Sequence, residues 1–484
     1  MGALSVLALV GRMVALFALL MLVPLIFALS AKDPAEDAFL IATAITLVCG
    51  AAASAATRRF RRELQPRDGF VLVGLTWVTL PFFGSLPLML ALPDLSFTDA
   101  YFEAMSAFTA TGATVLTGLD SMPLSVNVWR CFMMWVGGLG IIVLAVAILP
   151  LLGVGGTQLF KAETAGPMKD QKLTPRISDT ARVIWSTYFG LSIACLLAYR
   201  WAGMSWIDAF LHMCTTVSLG GFSSYDASFG HWDSPRIEAT AIVFMVLSGV
   251  NLMLYFVAVR GRSMAVLWRN PEARAFYLCL SGAIGVITAY LLGSGAYDDP
   301  WLALRHTAFH VVSVATTTGY ASHDYGQWPA FAAFLMILLG CFATCAGSTG
   351  GGIKMVRMLL LLKQARRELV RTVHPRVVNP ILLGGRMVEP NVMQGVIAFM
   401  MMYGAVLVGL TMLMLFTGLE PVTAFTAVLA CVNNIGPGLG DVGPSVNYAG
   451  LTPAQTWICT VAMLLGRLEL LSVLVLFTPQ LWRR

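Results

Sequence analysis

The chain has 484 residues, of which 58% are hydrophobic and only 12% are charged, and its formal net charge is +6. Soluble globular proteins carry about twice that fraction of charged residues, so the composition excludes an ordinary soluble domain. Apolar stretches of about 20 residues, long enough to cross about 30 Å of hydrocarbon, recur through the sequence. We therefore predict an all-α polytopic membrane protein.

Ten apolar stretches are predicted to cross the membrane. They cover residues 5–29, 38–56, 69–92, 126–152, 183–202, 237–259, 275–293, 329–362 (interrupted), 393–417 and 455–478. The first is too long for the apolar core of a cleavable signal peptide, so we expect it to remain as a membrane helix. Four shorter stretches cannot cross and suit half-helices that enter the membrane and turn back. These are residues 99–110, 207–218, 302–315 and 421–433.

Lys and Arg residues predict the orientation, because the cytoplasmic loops of membrane proteins are enriched in both. If the four short stretches re-enter, 25 of the 31 basic residues lie on one side. They occupy the connections 57–67, 153–182, 260–274 and 354–386 and the two chain ends, at Arg12, Arg483 and Arg484. We therefore expect both termini to be cytoplasmic.

The sequence then divides into an N-terminal pair of helices and four units of helix, half-helix, polar string and helix. The predicted boundaries are 1–62 for the N-terminal pair and 63–182, 183–272, 273–388 and 389–484 for repeats 1 to 4. A glycine closes each half-helix, and a small residue precedes it by six positions. The glycines are Gly112, Gly220, Gly319 and Gly436, and the small residues are Ser106, Cys214, Ser313 and Ala430.

This pattern favours a cation pore. The carbonyl end of each half-helix points to the middle of the membrane and attracts a cation. Glycine allows the following backbone to aim its carbonyls to one side, and the string Thr318-Gly319-Tyr320 resembles the filter signature of K⁺ channels. The predicted K⁺-binding residues are Thr111, Gly112, Leu219, Gly220, Thr318, Gly319, Ile435 and Gly436. Four acids just beyond the strings would concentrate cations, namely Asp120, Asp226, Asp324 and Asp441.

A second feature interrupts the span 329–362. Residues 340–352, here called the plug, include three consecutive glycines, which destabilise a helix by about 1 kcal/mol each. We predict that the plug gates the pore, and that Arg467 within the last span donates hydrogen bonds to its carbonyls. The alternatives are close packing of small residues for the plug and a structural ion pair for Arg467. The predicted gating residues are Gly347, Ser348, Thr349, Gly350, Gly351, Gly352, Lys354 and Arg467.

The chain resembles the Trk/Ktr/HKT superfamily of potassium transporters, in its TrkH/TrkG branch. The resemblance lies in residues 107–114, 218–223, 345–354, 433–440 and 466–469, and the two extra N-terminal spans suit this branch better than KtrB. It implies potassium uptake through one pseudo-fourfold pore, a homodimer in a bacterial inner membrane, and a cytosolic nucleotide-binding RCK subunit of the TrkA type. None of the four strings is a full TVGYG, so selectivity for K⁺ over Na⁺ is expected to be modest.

Three other functions are alternatives to a channel-like pore. An H⁺- or Na⁺-coupled potassium symporter would use the same pore. A transporter with a midplane substrate site would show inverted repeats, whereas these units share one direction. An enzyme would need clustered acids, histidines or cysteines within the spans. We expect a non-enzymatic protein with K⁺ as its only metal, at the filter, and with neither an organic cofactor nor a nucleic-acid partner.

Overall fold

The computed structural model describes residues 2–57, 59, 65–138, 140, 177–468 and 470–482. Several predicted features lie outside these residues. They are the end of the span 126–152, most of the connection 153–182, Glu469, and the basic residues Arg58, Arg61, Arg62, Arg483 and Arg484. The described part is mostly helical, which confirms the predicted fold class.

Three helices form the N-terminal part: Gly2–Leu20, Leu22–Ala31 and Glu36–Ala56. The first and the last pack closely because small residues face each other. A Cβ atom added to Gly11 would lie only 2.8 Å from the backbone nitrogen of Ser54.

The remaining helices follow the predicted order. Residues 66–138 contain Pro66–Ala91, Phe97–Phe108 and Leu124–Gly138. Residues 177–269 contain Ile177–Ala202, Trp206–Val217, Pro235–Ser248, Leu252–Arg260 and Ala265–Arg269. Residues 271–387 contain Pro271–Gly293, Pro300–Ala315, Ala330–Gly340 and Met355–Val373, and a hairpin of Leu382–Leu383 with Arg386–Met387. Residues 390–482 contain Pro390–Phe416, Pro421–Val432, Pro453–Arg467, Leu470–Leu474 and Pro479–Trp482.

Four of these helices are the predicted half-helices, named half-helix 1 to 4 in chain order: Phe97–Phe108, Trp206–Val217, Pro300–Ala315 and Pro421–Val432. Each begins at a residue whose side-chain oxygen accepts a hydrogen bond from a backbone N–H of the first turn. These residues are Ser96, Ser205, Asp299 and Glu420. Such a cap stabilises a helix by about 0.5–2 kcal/mol. The carbonyl ends are fully buried in the protein.

The described residues contain six helices long and apolar enough to cross a membrane, or seven if a bent pair counts as one span. That pair, Pro235–Ser248 and Leu252–Arg260, is bent by 86°, so the prediction of a continuous span over 237–259 was wrong. The predicted span 455–478 is also divided, because its first helix ends at Arg467. Both breaks lie beside the plug, as shown below.

Candidate ion pathway

The four half-helices end in the same backbone conformation. A residue with a positive φ between 50° and 62° follows each helix, and a glycine with φ between 78° and 96° comes two positions later. The first set is Ala110, Leu219, Thr317 and Asn434, and the glycines are Gly112, Gly221, Gly319 and Gly436. Because non-glycine residues rarely adopt a positive φ, this recurrence aligns the four segments. We name them string 1 (109–115), string 2 (218–224), string 3 (316–322) and string 4 (433–439).

This alignment corrects the predicted register of string 2 by one residue. The amide of Gly220 donates to the carbonyl of Thr215 at 2.9 Å, as the amide of Thr111 donates to Ser106 at 2.9 Å. Gly220 therefore corresponds to Thr111, and Gly221 rather than Gly220 corresponds to Gly112. The pair of string 2 that corresponds to Thr111 and Gly112 is therefore Gly220 and Gly221, and not Leu219 and Gly220 as predicted. The error arose because the Gly220-Gly221 doublet offers two candidates, and the sequence does not show which one adopts the positive φ.

The strings contact each other in a closed cycle. A Cβ atom added to Gly112 would overlap the carbonyl oxygen of Gly220 in string 2. In the same way Gly221 faces the carbonyl of Thr318 in string 3, and Gly319 faces that of Ile435 in string 4. Gly436 closes the cycle, since its Cβ would lie 2.8 Å from the carbonyl oxygen of Thr111. The carbonyls of Thr111, Gly220, Thr318 and Ile435, here called the carbonyl ring, thus each abut the glycine of a neighbouring string.

A cavity of about 90 Å³ lies on one side of the carbonyl ring. All four positive-φ glycines line it, together with Arg130 and Asp226. Asp226 joins the loops of two repeats, because its carboxylate accepts from the amide of Gly118 at 2.9 Å and its amide donates to Asp120 at 3.2 Å. Two of the four predicted acids, Asp120 and Asp226, therefore meet beside this cavity, which we call the mouth of the pathway.

The other two acids hold their own loops. Asp324 accepts from the amide of Gly326 at 3.0 Å, and the amide of Asp441 donates to the hydroxyl of Thr423 at 3.2 Å. Near the mouth, burial and the neighbouring Asp208 raise the pKa of Tyr225 to about 12. The phenol therefore remains protonated at neutral pH and donates to Asp208 at 3.1 Å.

The plug lies on the opposite side of the carbonyl ring. The amide of Gly351 donates to the hydroxyl of Thr317 at 2.9 Å, and the hydroxyl of Thr349 donates to the carbonyl of Val217 at 2.9 Å. A Cβ atom added to Gly351 would overlap the carbonyl of Asn433. Thr317 and Asn433 both precede the carbonyl ring in their strings. The plug therefore lies directly beneath the carbonyl ring.

Arg467 joins the plug to the first repeat. Its guanidinium donates to the carbonyl of Thr349 at 2.9 Å and to that of Gly137 at 2.7 Å, and it also contacts the carbonyl of Gly138. The two glycine carbonyls form the C-terminal end of the helix Leu124–Gly138, where a positive charge is favourable. As the sequence suggested, Arg467 donates to a plug carbonyl. The contact with the helix end could not be foreseen.

The other predicted gating residues lie within or next to the plug. The ammonium of Lys354 donates to the carbonyl of Gly350, and the hydroxyl of Ser348 donates to the carbonyl of Cys345 at 2.7 Å. Gly347 and Gly352 have φ values of 75° and 82°, which glycine adopts without strain. The plug is therefore a loop with hydrogen bonds of its own.

Glu272 joins the middle of the plug to the helix that follows it, and it was not identified from the sequence. One oxygen of its buried carboxylate accepts from the amide of Ala346 at 2.7 Å and from that of Val356 at 3.1 Å. The sequence Asn270-Pro271-Glu272 looks like an ordinary helix start, so it gave no signal.

The bend at Gly249–Asn251 also holds the plug. The amide of Cys345 donates to the carbonyl of Gly249 at 3.0 Å, and the amide of Leu252 donates to the carbonyl of Gly347 at 3.1 Å. The string Ser248-Gly249-Val250-Asn251 was a usable signal, because Gly breaks helices and Asn begins them.

A buried ion pair braces strings 1 and 2 and was also missed. Glu103 and Arg130 are both fully buried, and their side chains meet at 2.7 Å. Arg130 also donates to the carbonyl of Ser223 at 3.3 Å and lies over the ring of Phe222 at 4.4 Å. The rule that singled out Arg467, a charge inside an apolar segment, applies equally to these two residues.

Comparison with known proteins gives a consistent result. The family model described as TrkH, cation transport protein, matches residues 35–484. The Trk system potassium uptake protein TrkH of Halomonas elongata is 43% identical over 480 residues, which is 99% of each chain. TrkG of Escherichia coli K12 is 38% identical over 474 residues, covering 98% of this chain and 97% of its own. The crystal structure of the potassium transporter TrkH from Vibrio parahaemolyticus is 40% identical, aligns over all of both chains and gives a TM-score of 0.90.

This similarity covers all four strings, the plug and Arg467. The chain belongs to the TrkH family of cation transport proteins.

Proposed function

We propose that this protein takes up potassium through a channel-like pore whose selectivity filter is the carbonyl ring. The observation that carries the proposal is the closed cycle of contacts, in which the glycine of each of the four strings lies against one carbonyl of the next string. Carbonyl oxygens at this position replace the water molecules around a dehydrated cation. The potassium transport stated in the names of its relatives supports K⁺ as the cation.

The plug is the gate in this proposal. It contacts strings 3 and 4 beneath the ring, and at rest it is held by Arg467, Glu272 and the bend at Gly249–Asn251. Opening requires these hydrogen bonds to break together. The positive charge of Arg467 next to the pathway also opposes the passage of a cation while the plug is closed.

We propose that the cytosolic signal acts through the basic helix Met355–Val373, which directly follows the plug. The partner is a nucleotide-binding RCK subunit of the TrkA type. Arg366 and Arg371 on this helix are exposed, as is Arg262 in the connection 260–274. These exposed arginines support a cytoplasmic location for this side and for both termini, and the bacterial relatives support an inner membrane. The family resemblance supports a homodimer.

The experiment is cation flux into liposomes that contain the purified protein. Rb⁺ or K⁺ should enter down an imposed gradient or potential, and Gly319→Ser should change the ratio of K⁺ to Na⁺ flux because it places atoms at the carbonyl of Ile435. The matched control is Gly282→Ser, since a Cβ atom at Gly282 meets nothing within 4 Å. An unchanged ratio in Gly319→Ser would refute the filter. Flux that required an H⁺ or Na⁺ gradient would replace the channel by a coupled symporter that uses the same pore.

A further inference from the structure

The corrected alignment reveals equivalent side chains behind the strings. Nine positions before the positive-φ glycine, the half-helices carry Glu103, His212, His310 and Ala427. The first three are polar, fully buried, and directed at the string that follows their own half-helix. With the register predicted from the sequence, Cys214 would have been aligned with Ser106, and this relation would have been hidden.

In repeat 1 the side chain at this position is a carboxylate, which accepts hydrogen bonds from string 1. Glu103 accepts from the amide of Val115 at 3.1 Å, three residues after Gly112. It also accepts from the hydroxyl of Thr114 at 2.9 Å. The end of string 1 on the cavity side is thus tied to its own half-helix.

In repeats 2 and 3 a histidine takes this role, and both histidines are fixed in the same tautomer. Nδ1 of His212 lies 2.9 Å from the carbonyl of Asp208, and Nδ1 of His310 lies 2.8 Å from that of His306. A carbonyl only accepts, so Nδ1 carries the hydrogen and Nε2 is an acceptor in both rings. Nε2 of His212 meets the hydroxyl of Ser223 at 3.0 Å.

His212 thus reaches string 2 through a hydroxyl two residues after Gly221, whereas His310 binds backbone amides in repeat 3. Its Nε2 accepts from the amides of Ser322 and His323, each at 3.2 Å. Ser322 lies three residues after Gly319, as Val115 lies three residues after Gly112. The position of the held amide is therefore the same, although one acceptor is a carboxylate and the other an imidazole.

In repeat 4 the neighbouring residue replaces the missing side chain. Ala427 cannot accept, but the hydroxyl of Thr426 accepts from the amide of Leu439 at 2.9 Å. Leu439 is again three residues after the glycine, Gly436. Thr426 is fully buried, and its own hydrogen goes to the carbonyl of Val422 at 2.7 Å.

The strings need these acceptors because they are extended chains without a sheet partner inside a membrane protein. An unsatisfied amide at this depth is costly, and a filter tolerates displacements of only about 0.5 Å. We infer that Glu103, His212, His310 and Thr426 are positioning residues that hold the cavity ends of the four strings and so set the cation selectivity of the carbonyl ring. This inference rests on the proposed filter.

The test compares the ratio of K⁺ to Na⁺ flux in liposomes. His310→Leu removes the acceptor and should lower the ratio by about fivefold, the factor that corresponds to one net hydrogen bond. His310→Gln offers an amide oxygen of similar reach and should stay within about twofold of the unmodified protein. Gel filtration shows whether each variant is folded.

A second pair of variants keeps the test decisive if His310→Leu does not fold. Thr426→Val removes only the hydroxyl and should also lower the ratio by about fivefold. Its control is Thr240→Val, because the hydroxyl of Thr240 likewise bonds its own helix, at Arg236, but lies at an exposed position. Unchanged ratios in folded Thr426→Val and His310→Leu overturn the inference. If Gly319→Ser changes the flux ratio in the same experiment, the proposed filter is supported and only the role of the acceptors is refuted. If Gly319→Ser leaves the flux ratio unchanged, the proposed filter is refuted.

Discussion

The alignment of string 2 can be tested because it predicts that alanine at Gly221 changes cation selectivity much more than alanine at the adjacent Gly220. Gly221 has a φ of 78°, which costs alanine roughly 1–2 kcal/mol. A methyl group there also overlaps the carbonyl of Thr318, which must move by about 1 Å, and displacing packed groups typically costs about 1–3 kcal/mol. The total for Gly221→Ala is about 2–5 kcal/mol.

Gly220→Ala is the matched variant. Gly220 does not have a positive φ, and the atoms nearest to its new methyl group all belong to the flexible side chain of Met134. A thioether adapts to such changes, so the cost should be under about 1.5 kcal/mol. The two variants add the same atoms one residue apart.

The assay is Rb⁺ uptake into liposomes at increasing concentrations of Na⁺. Because about 1.4 kcal/mol corresponds to a tenfold change in an equilibrium constant, Gly221→Ala should lower the preference for Rb⁺ by at least about tenfold. Gly220→Ala should change it by less than about tenfold. An equal or larger effect of Gly220→Ala would refute the alignment of string 2, and with it the carbonyl ring.

Three further substitutions test the contacts around the ring and the plug. Arg467→Ala should raise Rb⁺ flux severalfold, because it removes the hydrogen bond to the plug and a positive charge beside the pathway. Glu272→Gln should also raise flux, since the carboxylate that accepts from Ala346 in the plug and from Val356 beyond it is lost. Reaction of Cys345, which is buried in this structure, with a thiol reagent should become faster. Glu103→Ala should lower the free energy of unfolding by about 3–5 kcal/mol because Arg130 loses its buried partner, and thermal unfolding in detergent measures this.

Each of these predictions has an outcome that contradicts it. Unchanged or lower flux in folded Arg467→Ala would show that this side chain does not close the pathway. An unchanged reaction rate of Cys345 in Glu272→Gln would show that the carboxylate does not hold the plug. If replacing Glu103 leaves the unfolding temperature unchanged, the ion pair does not brace the strings. Arg236→Ala, at an exposed position near the start of the helix Pro235–Ser248, is the control for all three assays.

The fold was largely predictable because a membrane restricts the choices. Stretch length and the excess of Lys and Arg in certain connections predicted the helices, and the recurring glycines predicted three strings in the correct register. Hydropathy says little about where an apolar stretch bends. The turn at Gly249–Asn251 was therefore overlooked, although Asn251 accepts a hydrogen bond from Met253 and begins the second helix.

The candidate site was predictable only in part. Gly319 stands alone after its threonines, so its register was unambiguous, whereas Gly220 and Gly221 could be distinguished only by backbone angles. The roles of Glu103 and Glu272 depend on partners in other segments: Arg130 lies 27 residues from Glu103, and Ala346 lies 74 residues from Glu272. Sequence spacing of that size contains no information about contact.

The contact between string 4 and string 1 has a consequence for how the protein is made. Asn434 donates to the hydroxyl of Thr111 at 2.9 Å across 323 residues of chain, and Gly436 packs on the carbonyl of the same threonine. Domains of a growing chain form from the N-terminus onward as the ribosome extends it. A nascent chain with three repeats inserted therefore lacks one of the four strings of the carbonyl ring. We expect truncated or unfinished products to be unable to discharge the cell's ion gradients, because a cation path forms only at the end of synthesis.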